Sequence, residues 1–144
     1  MVAAMTPEVA EAVDDIKRHF GAGAVLVGPD KDGGAVVIVD GVVLGKPYAQ
    51  GDTWVGFHIT HACPYADVYP HFVRGDLKRA DGLDLGEAIT ASHQFPQPGV
   101  VVGDVIGSRA AVQISRRANK RDAGSDLETP LLKALKVLRW LKSR

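Results

Sequence analysis

The chain has 144 residues, 46% of them hydrophobic and 24% charged, with 17 basic residues against 17 acidic ones. That length and balance predict one globular domain, 1–144, with a core of its own and no global charge to hold a nucleic acid. A single cysteine excludes an internal disulfide framework, no apolar run reaches the roughly 18 residues of a membrane span, and no basic-then-apolar leader opens the chain, so a cytoplasmic protein is expected.

Thr6-Pro7-Glu8 predicts a helix start: the hydroxyl accepts from a free backbone N–H, and proline at the first helical position loses nothing. Val9, Val13, Ile16 and Phe20 recur at helical spacing, and Gly21 and Gly23 end the helix. Ala24 to Val27 reads as a short strand, Gly28 to Gly34 as a turn, and Ala35 to Val39 as a second strand. Asp40-Gly41 signals a tight turn or a bulge before Val42 to Leu44. The aromatic and β-branched content of Trp54 to Ile59 predicts another strand. Pro64 and Pro70 make Cys63 to Pro70 an irregular loop, with His71 to Val73 a short last strand. Leu85 to Ala91 reads as one or two helical turns, Gln94 to Gly99 as extended chain, and Val100 to Val102 as a brief pairing. Ala110 to Ser115 suits a strand or a helix. Ser125 with Glu128 makes a capping box, and Thr129-Pro130 offers a second helix start. Leu131, Leu135, Leu138 and Leu141 then form an apolar face, with Lys133, Lys136, Arg139 and Lys142 mostly in solvent. The sum is an α+β domain: an N-terminal helix, an antiparallel β-meander of three or four strands, a long irregular connection and a C-terminal helix packed back on the sheet.

Chemistry-bearing residues gather in Phe57 to Arg74, which holds the only cysteine, three of the five histidines, two tyrosines and two prolines. Cys63 has two readings. As a thiolate beside His58, His61 and His71 it is a nucleophile; as an isolated cysteine it is a small core residue. His61 and Cys63 share parity on an extended chain. His58, His61, Cys63 and His71 are zinc donors by type, but His58 and His61 have opposite parity and no second cysteine exists, so no metal is assigned. Ser92-His93 offers a hydroxyl beside a base, in a geometry adjacent residues rarely achieve. Ser115 to Arg121 brings Arg116, Arg117, Lys120 and Arg121 together, suited to phosphate or an acidic protein surface. Without interleaved aromatics and with zero net charge, it predicts no nucleic-acid partner. Nothing calls for a cofactor.

The order of these features resembles the ubiquitin-conjugating-enzyme (UBC-like) superfamily, and more closely its divergent bacterial branch. The likeness rests on Phe57-His58-Ile59-Thr60 leading into the tyrosine-proline loop Cys63-Pro64-Tyr65-Ala66-Asp67-Val68-Tyr69-Pro70. It rests also on Lys78-Arg79-Ala80-Asp81-Gly82, and on Gln113-Ile114-Ser115-Arg116-Arg117 before a leucine-rich last helix. The resemblance implies a component of a bacterial ubiquitin-like conjugation system. Such a protein takes a ubiquitin-like modifier from its activating enzyme and transfers it to an amine. It implies Cys63 as the carrier, His61 or His71 lowering its pKa or shuttling a proton, and Tyr65 and Tyr69 shaping the loop. Arg116, Arg117, Lys120 and Arg121 would meet a partner. The family's His-Pro-Asn and its cysteine after the fourth strand are absent here. Either Cys63 works from a different loop, or a hydroxyl such as Ser92 replaces it, or the domain is a non-catalytic module that binds the modifier or the activating enzyme.

Overall fold

The computed structural model describes residues 5–96, 106–116 and 129–144. Helix α1 spans Pro7–Phe20, and Thr6 caps it by accepting from the Val9 N–H at 3.1 Å. Val9, Ala12, Val13 and Ile16 are its buried face, and Gly21, at φ 95°, takes the left-handed conformation that ends it. Strands β1 (Val25–Pro29), β2 (Ala35–Val43), β3 (Asp52–Ile59) and β4 (His71–Arg74) form an antiparallel meander. The two strand segments expected either side of Asp40-Gly41 are one strand, carrying a bulge where the register shifts between Val39 and Val42.

The expected three- or four-stranded sheet is larger, with six strands among the described residues. Strands β5 (Ile89–Phe95) and β6 (Arg109–Ile114) extend it in the order β1-β2-β3-β4-β6-β5. The helical turns expected over Leu85 to Ala91 are replaced by coil and the start of β5. Ile89 is buried there opposite Ile114, and cross-strand burial outweighs a weak local helical pattern. The stretch Ala110 to Ser115, which suited either state, is strand as far as Ile114: β6 sits between β4 and β5, and its backbone groups are used on both sides.

Helix α2 spans Pro130–Lys142 with Thr129 as its cap, the second of the two starts read from the sequence. Its buried face is rotated from the leucine stripe and runs through Pro130, Lys133, Ala134, Val137, Leu138 and Leu141. Lys133, expected in solvent, is therefore buried. The Tyr48 hydroxyl donates to the Leu141 carbonyl at 2.8 Å, satisfying one of the orphan acceptors at the helix end.

Both helices contribute to one core cluster. Ala35, Val37, Val39, Val55, Phe57, Ile59, Val73, Val112 and Ile114 point into it from the sheet. The alternate residues Val36, Ile38, Phe72, Phe95 and Ala111 form a second cluster on the other face, with Trp54 packed against it. That is why Ala35 to Val39 is buried without a break: β2 is covered on both faces. Among the described residues no helix is long and apolar enough to cross a membrane. The readings at Gln97 to Val102, Arg117, Lys120, Arg121, and Ser125 with Glu128 lie outside the described residues.

Candidate functional site

The tyrosine-proline loop is wound rather than extended. The Cys63 N–H donates to the Thr60 carbonyl at 3.0 Å and the Tyr65 N–H to the Ala62 carbonyl at 2.8 Å. The parity that placed His61 beside Cys63 therefore does not apply. His61 is exposed on the turn, whereas Cys63 is 8% exposed and packs in the helix-side core. Burial pushes the Cys63 thiol pKa up, and the carboxylates of Glu8 and Glu11 push it further the same way. Each of these effects disfavours the thiolate, the form a nucleophile needs. Two residues on, Tyr65 is 86% exposed.

His71 faces the same core from β4, fully buried with its ring centroid 5.2 Å from that of Phe57. Neither ring nitrogen has a hydrogen-bond partner among the described residues. Burial, together with the Lys133 charge and against the opposing Asp67 carboxylate, lowers its pKa to about 3. His71 is thus a neutral packing group, with no route for the proton that a base toward Cys63 would move. Beside it Lys133 Nζ donates to Asp67 Oδ1 at 2.7 Å, fastening the loop to α2.

The opposite face of the sheet carries a different arrangement. Asp30, 4% exposed, closes the β1–β2 turn: its Oδ1 accepts from the Asp32 N–H at 2.7 Å and the Gly34 N–H at 2.8 Å. Its Oδ2 accepts from His58 Nε2 at 2.6 Å. Desolvation raises the Asp30 pKa, but the hydrogen bonds from His58 and the two amides outweigh it, and the net shift is downward. Asp30 is therefore a fixed carboxylate. His58 lies opposite Val36 in the β2–β3 register. It lines a cleft of about 280 Å³ with Val36, Tyr69, Pro70, Phe72, Phe95, Pro96 and Gln113. Phe72 and Phe95 make its aromatic wall, their centroids 4.9 Å apart.

The residues singled out from sequence are thereby divided between two faces. His58 and Tyr69 line this cleft, while Cys63 and His71 are sealed in the helix-side core. His58, His61, Cys63 and His71 do not converge, and no group of three or more metal-type side chains does so among the described residues. Ser92, at φ 69°, is an exposed residue in the β5 bulge, and His93 Nε2 pairs with the Thr90 hydroxyl at 3.0 Å instead of with it. Arg116 lies over the Trp140 ring at 4.7 Å, where Arg144 lies at the same distance. Sequence reasoning missed Asp30 as a partner for His58. The available signal was an Asp four residues before a glycine, the pattern of a carboxylate folded back on its own turn.

The described residues form an α+β domain with an apolar, histidine-lined cleft on the sheet face opposite the two described helices. Comparisons with protein-family models, with curated proteins and with solved structures find no match for the chain.

Proposed function

We propose that this protein is a non-catalytic binding module of a bacterial ubiquitin-like conjugation system. It holds a ubiquitin-like modifier or its activating enzyme without a covalent bond. The resemblance in the tyrosine-proline loop and the Ser-Arg segment supplies the system. The observation that favours binding over transfer is the division within one loop: the Cys63 thiol is buried with a raised pKa, and Tyr65 projects into solvent. A transferring enzyme must present a thiolate to a large acyl donor. A binding module needs an exposed aromatic anchor, and tyrosine is among the residues that most often dominate interface energetics. Arg116, ordered on Trp140, adds a cation for an acidic partner.

The test is binding to the cognate modifier and to its activating enzyme, measured with wild type, Cys63→Ser and Tyr65→Ala. Cys63→Ser retains affinity for whichever of the two is the partner, and Tyr65→Ala weakens it about tenfold or more. A thiol-reducible adduct that forms with wild type and not with Cys63→Ser would replace this reading with the transferring one.

A further inference from the structure

The cleft on the sheet face opposite the two described helices takes Tyr69 and Pro70 from the end of the tyrosine-proline loop, does not include Tyr65, and has the composition of a small-molecule site. Its walls are aromatic and aliphatic, and its polar groups are few: the His58 ring, the Gln113 amide and the Tyr69 hydroxyl. His58 is prepared rather than incidental. The ionised Asp30, held by two backbone amides, engages Nε2 and so fixes which imidazole nitrogen carries the proton. In the neutral imidazole Nδ1 then carries the lone pair, and it has no partner among the described residues. The His58 side chain is 35% exposed and lines the cleft, so its ring is within reach of a ligand there.

Size and charge narrow the occupant. A volume of about 280 Å³ is small for a binding pocket and suits one or two fused rings. Among the described residues no lysine or arginine lines the cleft, and the Asp30 carboxylate lies behind its His58 wall, so an anionic ligand is disfavoured. A neutral planar ligand with a hydrogen-bond donor satisfies both the aromatic wall and Nδ1.

We propose that this cleft binds a small, uncharged aromatic hydroxyl compound, its ring against Phe72 and Phe95 and its hydroxyl donating to His58 Nδ1. His58 is the specificity-determining residue and Asp30 its positioning residue.

The probes are 2-naphthol and 2-methoxynaphthalene, which share a ring system and differ in the donor. Affinities come from NMR titration of the full chain, following the Val36 methyl groups and the His58 ring nitrogens. Wild type binds 2-naphthol about tenfold more tightly than the ether, one hydrogen bond's worth of discrimination. The Val36 methyls shift with both compounds, and the Nδ1 resonance shifts with 2-naphthol alone. In His58→Phe the preference disappears while both compounds still bind. The Nδ1 measurement on wild type decides the question without any variant. No shift at Val36, equal affinity for the two compounds, or an Nδ1 resonance indifferent to 2-naphthol overturns the proposal.

Discussion

His71 is a histidine whose environment removes its usual chemistry. Its nitrogens are unsatisfied and its pKa is lowered to about 3, from 6.5. The unfolded chain takes up a proton as the pH falls through about 6.5, while the folded protein does not until about 3. Burying His71 in its neutral form thus costs nothing in protonation above pH 6.5 and destabilises the fold progressively on acidification from 6.5 towards about 3. The slope from this one residue is about 1.4 kcal/mol per pH unit. Urea unfolding at a series of pH values will show that slope, and His71→Leu will flatten it. At pH 7 the same variant will be as stable as wild type or about 1 kcal/mol more so, because it removes an unpaired polar group. Cys63 follows similar logic. Its labelling by a thiol reagent in the native protein will be slow at neutral pH and reach the free-thiol rate only in denaturant. Fast native labelling would show that burial does not govern this thiol.

Elements are joined here by a few polar contacts that local sequence does not announce. The loop after β3 meets α2 through Asp67 and Lys133, and the Lys133 side chain is 5% exposed. Asp67→Asn leaves a buried ammonium without its counter-charge, and a loss of about 2–3 kcal/mol in the urea-derived stability is expected. Adding Lys133→Met recovers most of that loss, since the buried charge is then gone. The β1–β2 turn depends on space at Gly34. A Cβ there would meet the Ile59 carbonyl oxygen, and the Asp30 carboxylate at 2.5 Å. Gly34→Ala is expected to cost about 2 kcal/mol and to part Asp30 from His58, seen as a change in the His58 ring-nitrogen shifts. At Gly56 a Cβ would run into the Phe95 ring, so Gly56→Ala forces the cleft wall to move and is expected to weaken 2-naphthol binding.

For the whole molecule the meander, both helices and their caps were legible in the chain. Thr6-Pro7 and Thr129-Pro130 are local signals, and Trp54 to Ile59 has a composition that suits little but a strand. The third layer of information was not legible. That Leu85 to Ala91 gives way to coil and β5, and that β6 enters between β4 and β5, are outcomes of pairing across long separations, for which no short window carries a signal. The same holds for the site. The histidines and the cysteine are close in sequence and were read as one cluster, yet β3 and β4 are strands in a sheet covered on both faces. Alternation along β3 sends His58 to the cleft face of the sheet, and on β4 it sends His71 to the face packed by the two described helices. The two capped helices, the antiparallel meander and the irregular loop around the prolines follow from the chain alone, because caps, turns and periodicity act within a few residues. Long-range packing is what makes Cys63 and His71 core, buries Lys133 against Asp67, and sets Asp30 to orient His58 beside an aromatic cleft. Those outcomes depend on which face of the sheet each side chain reaches and on what distant residue meets it there.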